Sequence, residues 1–245
     1  MERDALIDLR GVEMHFNMSR ERLDSLKEYA LRLAKGRLLY EDFTALAGID
    51  LAVRRGDVLG VVGLNGSGKS TLLKIVSGIL RPTRGTVRVE GTVAPLIELG
   101  AGFDLELTAR ENIFLNGAVL GHSKREMRAR FEEIVEFSGM RGFLDVPMKN
   151  YSTGMVARIA FSVATCVRPD ILLVDEILSV GDHQFVKKCE ERIAGMMAEG
   201  TTVFLVSHDL AEVRRLCTRA IWLERGRIRA EGPADAVCAA YEAGG

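Results

Sequence analysis

The sequence has few cysteines, no excess of charge of either sign and no long apolar run. Its four cysteines lie far apart and form no Cys-x-x-Cys pair, so they indicate neither a zinc site nor a disulfide framework. The net charge of −1 gives no global basic field of the kind that nucleic-acid binding usually shows. The N-terminus lacks an apolar signal core, and no run approaches the roughly 18 apolar residues of a membrane span. We therefore expect a cytosolic or peripheral membrane protein with no nucleic-acid partner.

The apolar content of the chain is sufficient for a full core. Of its 245 residues, 47% are hydrophobic and 27% are charged, which is typical of one large folded domain. Three short apolar runs without alternation, 58–62, 171–174 and 202–206, are typical of strands buried on both faces of a parallel sheet. The last two end in polar residues, where open α/β sheets bind ligands. We predict a single α/β domain over residues 1–245.

Further segments predict subdomains around this sheet. Residues 5–16 and 43–53 have the pattern of antiparallel edge strands. Residues 108–165 are mostly helical in pattern, with breaks at glycine and proline, and predict a helical subdomain inserted between sheet strands. Residues 230–245 predict a short helix-like tail.

Residues 19–38, between the two edge strands, predict an amphipathic helix. Leu23, Leu26, Ala30 and Leu33 recur at steps of three and four residues. From residue 19 to residue 37 there are six Arg or Lys and three Asp or Glu, so the polar face is net basic. Two interpretations stay open: a solvated face on a helix that packs against the core, and a helix that docks on a membrane surface or a partner.

A glycine-rich segment follows the apolar run 58–62 and precedes a predicted helix over 71–77. Its sequence, Gly63-Leu-Asn-Gly-Ser-Gly-Lys-Ser70, predicts a phosphate-binding loop in this strand-to-helix context. Backbone N–H groups would surround the phosphates of ATP, Lys69 would neutralise them, and the Ser70 hydroxyl would ligate Mg²⁺. The predicted ATP-binding residues are Gly63, Asn65, Gly66, Ser67, Gly68, Lys69, Ser70 and Thr71.

Acidic and imidazole side chains follow the two later strands. Asp175 and Glu176 come directly after the run 171–174, and we predict that Asp175 holds Mg²⁺ through its water shell while Glu176 polarises the attacking water. His208 follows the run 202–206, where its imidazole would donate to the γ-phosphate or orient water. Glu176 and His208 are therefore the predicted catalytic residues.

Together with Tyr151-Ser152-Thr153-Gly154-Met155, these motifs resemble, in order and spacing, the nucleotide-binding subunit of ATP-binding cassette (ABC) transporters. The resemblance covers nearly the whole chain. It implies a P-loop ATPase core with a mostly parallel sheet, an antiparallel β subdomain and an inserted helical subdomain. It also implies a homodimer in which residues 151–155 of one copy, the signature segment, meet the ATP held by the other. The usual signature is Leu-Ser-Gly-Gly-Gln, so this chain departs at its first, third and fifth positions.

The departing signature, with Arg158-Ile-Ala-Phe-Ser162, resembles cassettes that export O-antigen, capsular polysaccharide or teichoic acid. Residues 97–103 with 106–112 look like that subfamily's loop between the catalytic and helical subdomains, and residues 180–189 like its dimer-contact loop. The basic segment 19–38 falls where these exporters carry an extra helix near the membrane surface, which favours the membrane interpretation.

Three site residues are implied by the resemblance alone. Glu98 is the candidate for the γ-phosphate-sensing glutamine, although a carboxylate would repel phosphate. Phe16 is the best match to the adenine-stacking aromatic, and packing in the core is its alternative role. Asp182 matches the dimer-contact aspartate.

The resulting hypothesis is an ATP-hydrolysing exporter subunit at the cytoplasmic face of a bacterial cell membrane. Its predicted partners are a second copy of the chain, integral membrane transport subunits and, through these, a lipid-linked polysaccharide. Its predicted cofactors are ATP and Mg²⁺. The alternatives are an ATPase subunit for another transported substrate and a soluble ABC ATPase without a transport role. The latter usually fuses two ATPase halves or adds long coiled coils.

Overall fold

The computed structural model describes residues 5–19, 40–97, 99–100, 102–175 and 182–244. Their strands form two sheets, one of three strands and one of six. The strands are β1 (Ala5–Ser19), β2 (Tyr40–Arg54), β3 (Val58–Val62), β4 (Arg84–Val89), β5 (Val93–Pro95), β6 (Ile171–Asp175), β7 (Thr202–Val206), β8 (Arg219–Glu224) and β9 (Arg227–Pro233).

The larger sheet has the order β5-β6-β7-β3-β8-β9, parallel except for the antiparallel pair β8 and β9. Strands β3 and β7 are buried along their whole length, as the apolar runs predict for strands covered on both faces. The smaller sheet has the order β2-β1-β4 and is antiparallel throughout. The predicted parallel core and antiparallel subdomain are both confirmed.

Seven α-helices lie within the described ranges. They are α1 (Lys69–Val76), α2 (Ala109–Val119), α3 (Lys124–Ser138), α4 (Thr153–Ala164), α5 (His183–Ala198), α6 (Leu210–Leu216) and α7 (Ala234–Gly244). Two short 3₁₀ turns, Arg141–Phe143 and Met148–Asn150, precede α4. None of these helices is long and apolar enough to cross a membrane.

Three apolar clusters hold these elements together. The first joins the smaller sheet and α1 to one face of the larger sheet, and the second packs residues of α4, α5, α6 and α7 on the opposite face. The third is the core of the predicted helical subdomain, with Ile113 of α2, Met127 of α3 and Ile159 of α4 at its centre. Because α4 contributes to both the second and third clusters, it connects the helical subdomain to the sheet.

Two boundaries in the structure differ from those that the sequence predicts. Strand β1 extends to Ser19, which pairs with Tyr40 of β2, so the strand takes the first residue of the predicted helix 19–38. The rest of that helix lies outside the described residues. The predicted tail begins inside β9 and continues as α7, where Tyr241 packs edge-on against Trp222 of β8 with ring centroids 5.5 Å apart.

Candidate nucleotide site

Gly63 and Gly68 lie where a side chain would not fit. A Cβ atom at Gly63 would lie 2.2 Å from the carbonyl oxygen of Leu223, and one at Gly68 would lie 2.6 Å from that of Ala45. Gly68 also has a φ of 107°, a left-handed value that glycine adopts without steric cost. The loop is therefore packed closely between β2 and β8, and it opens directly into α1.

Lys69 crosses the loop that precedes it. Its ammonium group donates to the carbonyl oxygens of Gly63 (2.7 Å) and Leu64 (3.0 Å), and the residue is only 8% exposed. The loop thus holds a buried positive charge beside the N-terminus of α1. The positive end of the dipole of α1 lies at the same N-terminus. This combination favours an anion at the loop.

The carboxyl ends of three neighbouring strands bring the polar motifs to one edge of the sheet. In the register, Asp175 of β6 pairs with Val206 of β7, and Val206 pairs with Val61 of β3. The phosphate loop follows β3, and His208 follows β7. His208 is exposed. The residues on either side of it make hydrogen bonds: the Ser207 hydroxyl donates to Glu212 (2.7 Å), and Asp209 caps α6.

A cavity of about 460 Å³ opens between the phosphate loop and β2, a size typical of small-ligand sites. Asp175 lies on its wall, as do most of the predicted phosphate-loop residues. The described residues that line it are Phe43, Ala45, Asn65, Gly66, Gly68, Lys69, Ser70, Thr71, Ile97 and Asp175. The structure therefore brings two separate motifs of the sequence into one pocket.

The aromatic residue on the cavity wall is Phe43, which the sequence analysis did not select. Its side chain is exposed, and Ala45, two residues further along β2, lines the same cavity. Phe16 is the cross-strand partner of Phe43 and is partly buried against the first apolar cluster. No local pattern indicated Phe43, because the pairing of β2 with β1 shifts register between Thr44 and Leu46 and so breaks the alternation of faces.

The signature segment forms the exposed start of α4. Ser152 caps the helix by accepting the N–H of Met155 (3.3 Å), and Ser152 and Thr153 are exposed. Tyr151 and Met155 instead pack against the helical subdomain, and the Tyr151 hydroxyl donates to the carbonyl oxygen of Phe143 (2.6 Å). The first and last of the unusual signature residues thus anchor the turn, while its serine faces outward.

The family assignment follows from comparison with known proteins. The family model described as ABC transporter matches residues 46–179, more than half of the chain, and spans the phosphate loop, the signature segment and Asp175. The chain belongs to the ABC transporter family.

Several relatives of this chain are named as ATP-binding proteins of export systems. The O-antigen export system ATP-binding protein RfbB of Klebsiella pneumoniae is 43% identical over 87% of this chain and 85% of its own. RfbB of Myxococcus xanthus is 44% identical over 89% of this chain and 50% of its own. The teichoic acids export ATP-binding protein TagH of Enterococcus faecalis is 37% identical over 99% and 54%. The chain thus spans about half the length of two of these relatives and most of the third.

Solved structures show the same fold. A dimeric ATP-binding cassette in a post-hydrolysis state with ADP and Pi superposes with a TM-score of 0.72 at 22% identity, covering 93% of this chain and 98% of that one. An ATP-binding subunit of an ABC transporter gives a TM-score of 0.74 at 22% identity, covering 97% and 93%. The ABC ATPase fold predicted for this chain is confirmed.

Asp182 uses both carboxylate oxygens within its own chain. One oxygen accepts the N–H groups of Gln184 and Phe185 (both 3.0 Å) and so caps α5, and the other pairs with Arg158 of α4. The N–H of Phe185, together with the Arg158 guanidinium, lowers the pKa of Asp182. The predicted dimer-contact role of this ABC residue stays a prediction, and the structure adds an intramolecular link.

Two predicted site residues fall outside the described part of this ABC chain. Glu98, the candidate γ-phosphate sensor, is one, and its neighbour Ile97 lines the cavity. Glu176, the predicted catalytic carboxylate, is the other, and it directly follows Asp175. Their roles remain sequence-based predictions.

Proposed function

We propose that this chain is the ATP-binding and ATP-hydrolysing subunit of an ABC exporter that moves a lipid-linked cell-surface polysaccharide across the cytoplasmic membrane. The observation that carries the ATPase part is the shared cavity of the phosphate loop and Asp175. The names of the O-antigen and teichoic acid relatives support polysaccharide as the substrate class.

The phosphate loop would bind the β- and γ-phosphates of ATP. Lys69 already directs its protons across the loop toward the carbonyl oxygens of Gly63 and Leu64. A phosphate within the loop would compete for those protons and neutralise the buried charge, because charge-assisted hydrogen bonds to an anion are stronger than those to a carbonyl group. The side-chain cation for the phosphates is therefore already in place and needs only to be redirected.

The donor set of the cavity fits Mg²⁺. Ser70 offers a hydroxyl oxygen and Asp175 a carboxylate on the same cavity, and Mg²⁺ prefers few protein oxygens with the rest from water and phosphate. Ser70 and Asp175 would hold the ion, which when bound supplies charge neutralisation on the β- and γ-phosphate oxygens.

Glu176 and His208 would act on the attacking water. Glu176 continues the chain directly beyond Asp175 at the end of β6, and His208 lies just beyond the end of the adjacent β7. A carboxylate there would orient water and accept its proton, and an imidazole would donate to the γ-phosphate.

A second copy of the chain would complete the site. The exposed Ser152 and the N-terminus of α4 offer hydrogen-bond donors suited to an anion, and they belong to the helical subdomain rather than to the cavity. A head-to-tail dimer would place this turn of one copy against the γ-phosphate held by the other. A dimeric cassette among the structural neighbours supports this assembly.

The membrane subunits would dock on the helical subdomain. Its surface exposes Leu115 and Val119, one helical turn apart on α2, and Leu105 in the loop that precedes that helix. Exposed apolar residues grouped in this way mark contact surfaces on soluble domains. We therefore place the chain at the cytoplasmic face of the membrane, peripheral to it and held by these subunits.

The test is the substitution Glu176→Gln, which removes the base and keeps the size of the side chain. We expect ATP to bind and to hold a stable dimer, measured by size-exclusion chromatography, while steady-state hydrolysis falls by at least about 100-fold. Lys69→Ala is the matched control and should lose both ATP binding and the dimer. Undiminished hydrolysis by Glu176→Gln would refute the catalytic assignment.

The polysaccharide part needs a separate test in cells. In a strain that depends on this gene for surface polysaccharide, Lys69→Ala should leave the polymer in the cytoplasm, where it can be detected by immunoblot of fractionated cells. Normal surface polymer in that strain would favour another transported substrate.

A further inference from the structure

A second cavity lies beside the phosphate loop, between the loop, the end of β8 and α7. Its volume is about 280 Å³, close to the lower end of the range for small-molecule sites. We call it the tryptophan pocket; the described residues that line it are Leu64, Asn65, Gly66, Ser67, Trp222, Leu223, Glu224, Arg225 and Tyr241. Because Asn65 and Gly66 line both cavities, a ligand in the tryptophan pocket would contact the phosphate loop without entering the nucleotide cavity.

The apolar wall of the tryptophan pocket is largely aromatic. Trp222 of β8 and Tyr241 of α7 meet edge-on, with ring planes at 83° and centroids 5.5 Å apart. Leu64 of the phosphate loop adds an apolar side chain and is 65% exposed. Two rings held at right angles offer a third ring both a face and an edge to pack against. The pocket therefore favours a planar aromatic ligand.

The Ser67 hydroxyl is a polar group of this pocket that has no partner. The residue is 6% exposed. Among the buried side-chain polar atoms of the described residues, its Oγ atom alone makes no hydrogen bond. An unpaired buried hydroxyl costs free energy, which a hydrogen bond to a polar atom of a ligand would recover. Ser67 therefore favours a ligand with a polar group at its buried end.

Arg225 occupies a backbone position that suits other residues better. Arg225 and Gly226 form the two-residue turn between β8 and β9, with φ values of 47° and 73°. Turns with two positive φ values favour Asn-Gly, because asparagine adopts this conformation at less cost than arginine. Arg225 is the only non-glycine residue in the described ranges with a positive φ. A residue kept at such a position indicates a role for its side chain.

The guanidinium of Arg225 is also available to a ligand. Arg225 is exposed, and it makes no ion pair within the part of the chain that the structure describes. Glu224, which also lines the pocket, pairs with Arg229 (3.5 Å), so the charge of its carboxylate is already compensated. A ligand carboxylate would form charge-assisted hydrogen bonds with the planar guanidinium of Arg225.

We propose that the tryptophan pocket binds a small aromatic carboxylate. The ring would pack against Trp222 and Tyr241. The carboxylate would pair with Arg225 at the exposed end of the pocket, and a second polar group across the ring would bond to Ser67 at the buried end. Binding at this site requires neither ATP nor a second copy of the chain.

Trp222 is the single tryptophan of the chain, so its fluorescence reports on the pocket directly. The probe is benzoate, added to the nucleotide-free wild-type protein. We expect a saturable change in fluorescence with a dissociation constant of about 1 mM or tighter, which a small rigid ligand can reach. Benzamide keeps the ring without the charge and should bind at least about fivefold more weakly. Equal binding of the two probes, or no saturable change with benzoate, would overturn the proposal.

The substitution Arg225→Asn removes the guanidinium and gives the turn its preferred Asn-Gly sequence. Affinity for benzoate should fall about tenfold, while the midpoint of thermal unfolding should equal or exceed that of wild type. Arg227→Asn is the matched control, because Arg227 is an exposed arginine of the same hairpin that is not among the described residues of the pocket lining. It should bind benzoate within about twofold of wild type. Equal affinities of all three proteins would overturn the proposal.

A second probe tests the contact with Ser67. 4-Hydroxybenzoate carries a hydroxyl across the ring from its carboxylate and should bind wild type about threefold more tightly than benzoate does. Ser67→Ala should bind both probes alike. A preference for 4-hydroxybenzoate that persists in Ser67→Ala would refute the contact with the Ser67 hydroxyl.

Lys69→Ala and ADP separate the tryptophan pocket from the nucleotide cavity. Lys69 lines the nucleotide cavity and is not among the described residues of the tryptophan pocket, so Lys69→Ala should bind benzoate as wild type does. Saturating ADP should leave benzoate bound to wild type, whereas displacement of benzoate would place the probe in the nucleotide cavity and overturn the proposal. A chain that binds benzoate as expected but does not hydrolyse ATP would refute the proposed function alone.

Discussion

Phe43 shows how a single residue of the site depends on strand pairing. Phe16 and Phe43 are cross-strand partners, so the pairing of β1 with β2 places two aromatic rings at the same level of these strands. Which ring reaches the nucleotide depends on which strand lies on the phosphate loop. Gly68 decides this, because the carbonyl of Ala45 in β2 fills the place of its missing side chain. We therefore favour Phe43 over Phe16 as the contact of the adenine ring.

The substitution Phe43→Ala should weaken ATP binding about tenfold, since stacking of a base on an aromatic ring contributes roughly 1 to 3 kcal/mol. Phe43→Tyr should bind normally because it keeps the ring. Affinity measured by equilibrium fluorescence with a labelled ATP analogue checks both.

Phe16→Leu is the control for this pair of rings. It keeps apolar volume against the first cluster, and we expect its affinity for the analogue to match that of the parent. Loss of affinity in Phe16→Leu with none in Phe43→Ala would return the assignment to Phe16.

Among the elements, β5 and β6 are joined at their start by Asp170. Its carboxylate accepts the N–H (2.9 Å) and the hydroxyl (3.0 Å) of Thr92 and pairs with Arg55 in the turn before β3 (2.7 Å). The Thr92 N–H, the Arg55 guanidinium and the Thr92 hydroxyl lower the pKa of Asp170 from 3.8 to about 2. This carboxylate thus links the starts of β5 and β6 to the turn before β3, at the end of the sheet opposite the candidate nucleotide site.

Loss of the Asp170 charge should destabilise the fold at neutral pH by about 1 to 2 kcal/mol, allowing for solvent screening at a partly exposed site. Because the folded-state pKa is depressed, the contribution is complete above the unfolded pKa of 3.8 and is lost as the pH falls toward 2. Urea unfolding of Asp170→Asn and wild type should therefore differ at pH 7 and converge near pH 2.

Asp145 provides the comparison for Asp170. It pairs with Arg110 at a similar distance (2.7 Å), but its side chain is 76% exposed. Asp145→Asn should have little effect on unfolding at pH 7. An effect as large as that of Asp170→Asn would contradict the role given to the hydrogen bonds between Asp170 and Thr92.

The elements themselves were largely predictable, and their boundaries less so. Continuous apolar runs indicated β3, β6 and β7 because strands covered on both faces have no polar side to reveal. The predicted helix begins at residue 19, but Ser19 belongs to β1 because the pairing of β1 with β2 extends to that residue. Periodicity over a few residues does not decide between two elements that compete for the same end.

The proposed head-to-tail dimer predicts that two inactive variants restore hydrolysis when they are mixed. Lys69→Ala removes the phosphate-loop cation, and Gly154→Asp adds a negative charge at the signature turn, so each homodimer should be inactive. A mixture of the two should recover hydrolysis, up to about a quarter of wild type, because half of the dimers would hold one intact site. Phosphate release after mixing of the purified proteins measures this.

As the control, each variant is mixed with an equal amount of the same variant. These mixtures should recover no hydrolysis. If mass spectrometry shows mixed dimers and hydrolysis still does not return, the head-to-tail assembly is refuted.

The sequence by itself was enough to predict the ABC family and its phosphate loop. Glycines at Gly63 and Gly68, a lysine and a serine at fixed spacing specify a phosphate loop, because these local backbone and charge requirements are written in consecutive residues. The same holds for Asp175 at the end of β6 and for the Ser152 cap of α4.

Only the tertiary structure decided which distant residues share the site. Phe43 and Ala45 line the cavity because β2 packs on the phosphate loop. Arg158 of α4 pairs with Asp182 because α4 packs beside the start of α5. Such contacts join residues that are far apart in the chain, and they depend on strand register and helix packing, which no local pattern specifies.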